Sequence, residues 1–343
     1  MKYLIFRTDR IGDFLITLPL LKSIKRNNPN SIISVVSSPK NIDFIKKNIF
    51  VDEVFLLESN NLKDKFKLFF KLNKYKYEAI IISDKKNRSI ILGLFLKGKN
   101  KIFNVSKIFQ KRILNFFFKN TFLDNDELKN VTVNDILKKN CNSLNMELNN
   151  KDYIFFDKNQ FEKEFSLKKS LNLDKFKYII LHYDEKWELE NYSKLYKKAK
   201  TLTDIKIYKN GFINFLTKLS ENKSMKIIIT TGYLDTNIIS ELKKEFSKIS
   251  SSLYKLNLKN EKCFLITNQN FFSLSHLISK SNLFISCHGA FTHVAANYGI
   301  KIIDIIEENK EKHYSRITSH MKNYKTFFRK DSSKLLNQII NYS

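Results

Sequence analysis

The first apolar run of the chain ends in Thr8-Asp9-Arg10-Ile11-Gly12-Asp13, and a helical pattern follows at once. A carboxylate at the end of a buried strand is a candidate general base, because strand ends face the ligand crevice in open α/β sheets. Asp13 also has a structural alternative, since an acid in a helix's first turn caps free N–H groups and suits the helix dipole. Gly12 gives the loop a backbone conformation closed to other residues and lets a ligand approach closely. The G-x-G-x-x-G dinucleotide fingerprint is missing here. A second stretch, Ser286-Cys287-His288-Gly289-Ala290-Phe291, reads as a strand end, a small-residue loop and a helix start. The N–H groups at such a helix terminus hold a pyrophosphate without a metal, so the backbone of Gly289, Ala290 and Phe291 is expected to bind phosphate. No D-x-D pair flanks an expected strand end, and no His/Asp/Glu cluster has ligand spacing. No metal is therefore expected.

These residues need elements to hold them. In the first half, strand-like runs at Lys2–Arg7, Ile32–Ser37, Val54–Leu57 and Ala79–Ser83 alternate with helical patterns at Phe14–Lys25, Ile42–Lys47, Leu62–Lys74 and Arg88–Leu96. A more polar middle carries helical stretches over Val131–Leu144 and Asn159–Ser170. In the second half, strands are expected at Tyr178–His182, Lys226–Thr231, Leu283–Cys287 and Lys301–Ile306. Helices are expected at Asn191–Leu202, Asn237–Ser247, Phe271–Ser279, Phe291–Tyr298 and Ser333–Asn341. Alternation of this kind predicts βαβ units and parallel sheets. The expected fold is α/β, with two Rossmann-like parallel-sheet domains, 1–165 and 166–343, facing across a cleft. The last helix is a candidate to return to the first domain.

The 343 residues suffice for two such domains. Cys141, Cys263 and Cys287 are far apart and odd in number, which fits a reducing compartment. No signal-peptide core or membrane-spanning run is visible, so the chain is expected in the cytoplasm. The formal charge of +27 points to an anionic partner such as a membrane leaflet or a phosphorylated glycolipid. Nucleic acid is not expected, because only seven basic residues are Arg and no nucleic-acid-binding motif is present. The excess of Lys has a bland alternative in a general Lys, Asn and Ile bias of the sequence.

The stretch RTDRIGDFLITLPLLKSIKRNNPN resembles the N-terminus of the heptosyltransferases, the family 9 glycosyltransferases that use ADP-heptose to build the lipopolysaccharide inner core. Arg7, Arg10, Ile11, Gly12, Asp13, Thr17, Leu18 and Pro19 match its pattern in register. The family's second domain opens with H-P-G and then K-R-W-P. Here His182-Tyr183-Asp184-Glu185-Lys186-Trp187 keeps the His, the Lys and the Trp, but Tyr183 and Asp184 stand where Pro and Gly are usual. The family's donor signature, N-D-S/T-G-x-x-H-x-A-A-x-x-G, is similar to the segment closing on His293, Ala295, Ala296 and Gly299. His288 occupies the place of its Asp, and Ala290 that of a Gly.

The resemblance implies a GT-B architecture and an inverting, metal-independent transfer from a nucleotide-diphosphate sugar, ADP-heptose in the family, with no other cofactor. The acceptor would be a lipopolysaccharide core or related anionic surface glycan, reached from the cytoplasm, with the cytoplasmic face of the inner membrane as a peripheral surface. It makes Asp13 the catalytic base and places Arg10 and Gly12 on the acceptor side. Lys186, His288, Gly289, Ala290, Phe291 and His293 would bind the donor. Asp235 is the nearest acid to the family's ribose-binding Glu. A GT-B-like protein that binds a glycan or nucleotide without catalysis is the alternative.

Overall fold

The computed structural model describes residues 1–59, 61–125, 131–165, 167, 171, 176–195, 203–223, 225–258 and 262–343. They form two compact units, 1–155 with 312–320 and 156–311 with 321–343.

The first unit is built on a six-stranded sheet. Its strands are β1 (Lys2–Phe6), β2 (Ile32–Ser37), β3 (Glu53–Leu56), β4 (Tyr77–Ile82), β5 (Gly98–Val105) and β6 (Thr121–Leu123). The order is β3-β2-β1-β4-β5-β6, and every pair is parallel. Strands such as KYLIF and YEAIII are apolar on both sides because helices cover both faces of a parallel sheet. One face packs Leu4, Phe6, Ile80 and Ile82 against Leu68 and Leu72 of helix Leu62–Leu72, Ile90 and Leu92 of helix Asn87–Phe95, and Leu114 of helix Ile108–Asn115. The segment 312–320 belongs with this unit. Its buried Arg316 pairs with Asp124 at 2.9 Å and donates to the Val131 carbonyl at 2.7 Å.

The second unit holds eight strands: β7 (Tyr178–Tyr183), β8 (Lys226–Thr231), β9 (Ser247–Lys248), β10 (Leu253–Asn257), β11 (Lys262–Ile266), β12 (Leu283–Cys287), β13 (Lys301–Ile306) and β14 (Tyr324–Phe328). The order is β14-β13-β12-β7-β8-β11-β10-β9. Six strands are parallel, whereas β10 runs antiparallel to both β11 and β9. The expectation of an all-parallel sheet is corrected at this edge, where a short connection from β10 to β11 leaves no room for a crossover helix.

Other expectations also change. β5, β6 and β14 escape the sequence reading because they are short or carry polar residues, as in GKNKIFNV and YKTFF. Helix Lys209–Lys223 has no counterpart in the expected elements, and Gly211 stands in its first turn with open space where a side chain would be. The helix expected over Asn159–Ser170 is a 3-10 turn at Glu162–Glu164, with 166 and 168–170 outside the described residues. Of the helix expected over Asn191–Leu202, Leu189–Leu195 is helical and 196–202 lie outside the described residues. The units divide at 155/156 rather than at 165. The final helix, Ser332–Tyr342, stays with the second unit by burying Leu335, Leu336 and Ile339 in its core; it is 312–320 that goes with the first.

Candidate functional site

In an open parallel sheet, ligands bind where neighbouring strands send their connections in opposite directions. In the first unit that point lies between β1 and β4. Arg7, the residue after β1, is buried and ties the two strand ends together. Its Nη1 donates to the Ser83 carbonyl at 2.5 Å, and its Nε donates to the Asp13 carbonyl at 2.8 Å. The guanidinium thereby fixes the start of helix Ile11–Asn27 against the sheet. Asp84, also buried, accepts from the hydroxyls of Thr8 at 2.6 Å and Ser89 at 2.7 Å.

Asp13 is the third residue of that helix and is half-buried. Its Oδ2 accepts the Arg10 backbone N–H at 3.2 Å, the return bond of a capping box. Arg10 is the exposed N-cap residue. Gly12 lies inside the helix and has no positive φ, so the special backbone expected of it is not used. Asp9 went unnoticed in the sequence, where an acid in a loop is ordinary. It forms an ion pair with Arg7 at 3.3 Å, yet its Oδ1 has no partner and its side chain is 19% exposed. Burial pushes its carboxyl up to about 6, with Arg7 opposing the shift and Asp13 and Asp84 adding to it.

In the second unit the corresponding point lies between β7 and β12. The loop after β7 carries Asp184 and Lys186, and the loop after β12 carries His288 and Gly289. Lys186 bridges the two. Its Nζ lies 2.8 Å from Asp184 Oδ2, 2.8 Å from the His288 carbonyl and 3.2 Å from that of Cys287. Burial would discharge this ammonium, but the Asp184 carboxylate outweighs it and holds the lysine well above its ordinary range. A Cβ on Gly289 would come within 2.6 Å of Nζ, so the glycine lets the ammonium lie against the loop. Gly232, after β8, backs the same constellation, because a Cβ there would meet Asp184 Cβ at 2.6 Å.

Helix Ala290–Asn297 starts at this loop. The Gly289 N–H is taken by the Thr292 hydroxyl at 3.2 Å, whereas the N–H groups of Ala290 and Phe291 donate to no acceptor among the described residues. The expected three-amide cradle is therefore two amides. His288 is mostly buried, and its Nδ1 lies 2.5 Å from Oδ2 of Asp304, a fully buried carboxylate on β13. The Tyr324 hydroxyl donates to the same oxygen at 2.7 Å, and Oδ1 has no partner. His293 is buried, with its ring edge-on to that of His288 at 5.5 Å. Phe291 stacks on Phe271. His182 is buried against Phe284 and Phe291, and burial lowers its imidazole to about 3.

Asp235 does not join this group: it is half-exposed and paired with Lys243 at 2.7 Å. Glu188 is the carboxylate built into the neighbouring helix start. It accepts the N–H groups of Asn237 at 2.8 Å and Ile238 at 3.0 Å. All three cysteines are buried, and burial pushes the Cys287 thiol up to about 12, so it offers no thiolate nucleophile. Among the described residues no group of three His, Cys, Asp or Glu side chains is placed to hold a metal.

Two doubly wound units in one chain, each carrying a polar constellation at the switch point of its sheet, are the pattern of the GT-B fold. Solved structures match it over their length. The chain superposes on a family 9 glycosyl transferase from Veillonella parvula with a TM-score of 0.61 and 14% identity, over 98% of this chain and 88% of that one. With the E. coli heptosyltransferase WaaC, solved with ADP, the TM-score is 0.62 at 12% identity, over the whole of both chains. The UDP-GlcNAc 2-epimerase of Methanocaldococcus jannaschii follows at 0.54 and 12%, over 99% and 92%. No family model and no curated protein matches the sequence. The likeness to family 9 in the sequence motifs thus extends to the whole fold, and that fold also carries epimerases, so function has to be argued from the site.

Proposed function

We propose that the chain is an inverting glycosyltransferase that moves a heptose-like sugar from a nucleotide-diphosphate donor to a lipopolysaccharide core or related surface glycan. The observation that carries this reading is Lys186, a partly buried ammonium joining two strand ends beside a helix start with two open amides. That is the chemistry of a diphosphate site: fixed positive charge and N–H dipoles that stabilise the leaving group as its bond to the anomeric carbon breaks. Asp13 takes the proton of the acceptor hydroxyl as that oxygen bonds to the anomeric carbon. WaaC was solved with ADP, which favours an adenine nucleotide as the first donor to try.

The test uses one variant. Asp13→Asn keeps the hydrogen bond to Arg10 but removes the base. Nucleotide-sugar binding, read as thermal stabilisation, should survive at about 2.7 kcal/mol for ligand at a hundred times its dissociation constant. Transfer should fall roughly 10²–10⁴-fold. Unchanged transfer by Asp13→Asn, or a wild-type chain that binds nucleotide sugars but transfers nothing, would favour the non-catalytic binder.

A further inference from the structure

The three helices on one face of the first sheet turn aromatic side chains outward. A helix covering a sheet ordinarily carries polar residues on its far side. Helix Leu62–Leu72 instead exposes Leu62, Phe66 and Phe70, four residues apart and so in one row. Helix Asn87–Phe95 exposes Ile91 and Phe95 at the same spacing. Helix Ile108–Asn115 and the turn after it expose Phe109, Ile113, Phe116 and Phe117, the last two by 91% and 76%. The last two helices touch where Gln110 donates to Asn87 at 2.7 Å. Scattered apolar surface residues are normal. These are not scattered, for all six exposed phenylalanines among the described residues lie on these helices or in the turn after the last of them.

The charge on the first and third of these elements is nearly all of one sign. Residues 61–76 carry Lys63, Lys65, Lys67, Lys71, Lys74 and Lys76 against a single acid, Asp64, and residues 106–119 carry Lys107, Lys111, Arg112 and Lys119 with no acid. Phenylalanine rows between lysines are the pattern of a surface that lies in a membrane interface, with rings at the acyl boundary and ammonium groups among anionic headgroups. We infer that this helical face docks the protein on an anionic lipid bilayer, whatever reaction the rest of the chain performs. A second copy would bring like charges together, and a basic surface for a soluble polyanion has no use for exposed Phe rows.

The experiment is flotation of the full chain with vesicles of phosphatidylglycerol and phosphatidylethanolamine, against phosphatidylcholine alone. The wild type should float with the anionic vesicles and be released by salt. F116S/F117S should keep the wild-type melting temperature, since both rings are exposed, and lose roughly tenfold in partition for each Phe. K111E/R112E should lose roughly fivefold or more for each charge. The inference is overturned by a wild type that stays in solution at low salt, or by F116S/F117S floating as well as wild type. It is equally overturned by a wild-type dimer in sedimentation velocity that the same variant splits, which would give the face to self-association.

Discussion

His288 stands where the resembling family has an acid, and the structure gives it a partner of its own. Asp304 is fully buried, accepts from both His288 Nδ1 and the Tyr324 hydroxyl through one oxygen, and leaves the other bare. A buried carboxylate persists only where a neighbour compensates it. With Nδ1 on Asp304, the imidazole is held in one orientation. In the glycosyl-transfer reading, Asp304→Ala should release the ring and weaken nucleotide-sugar affinity roughly 10–100-fold, the range of a lost charge-assisted hydrogen bond. Tyr324→Phe, which leaves the His–Asp contact in place, should cost less. Titration calorimetry on both variants decides it: equal losses, or none, remove the dyad from ligand binding.

At the scale of elements, two glycines shape the Lys186 loop and should fail differently. A methyl at Gly232 meets Asp184 Cβ at 2.6 Å and its Cα at 3.1 Å, so backbone must move. Gly232→Ala should cost about 1–3 kcal/mol of stability, as overpacked sites do. A methyl at Gly289 meets the tip of Lys186, which can swing aside, and otherwise only the Cys287 carbonyl at an ordinary 3.8 Å. Gly289→Ala should therefore leave the melting temperature nearly unchanged while moving the ammonium from the His288 carbonyl and lowering nucleotide affinity. Melting curves with and without nucleotide separate the two. A reversal of the pattern would show that Lys186 does not organise the site.

At the scale of the whole molecule, three buried groups pull acid stability in opposite directions. His182 is lowered to about 3 and His320, stacked on Tyr153, to about 4, chiefly by burial. Both stay neutral in the fold between pH 4 and 6 and take up a proton on unfolding, so their contribution is lost as pH falls below the unfolded value near 6.5. Asp9 works the other way. Raised to about 6, it is protonated in the fold over most of this window and releases its proton on unfolding, so its contribution is lost as pH rises. Of these three the two histidines outweigh Asp9, so together they make stability fall as pH drops from 6 to 4. Asp9→Asn removes the opposing contribution and should steepen the loss. Thermal unfolding at stepped pH measures both slopes, and a shallower slope in Asp9→Asn would contradict the buried carboxyl.

The sequence by itself determined the elements whose central residues are buried. IISVVS, KIIITT, LFISC and KIIDII are strands where the sequence places them, because a strand covered on both faces must be mostly apolar. It also marked the loops after β1 and β12, the second by Gly289, a small residue between a strand and a helix. Tertiary structure decided what those loops contain. Asp9 becomes unusual only once Arg7 and the sheet bury it, Asp304 becomes His288's partner only because β13 pairs with β12, and Gly232 matters only because β8 lies beside β7. Edge strands such as β6, β9 and β14, and the helix around Gly211, stayed hidden because their pairing partners, not their composition, stabilise them. Local periodicity reports burial along one segment, whereas a site is made of neighbours that only the strand order brings together.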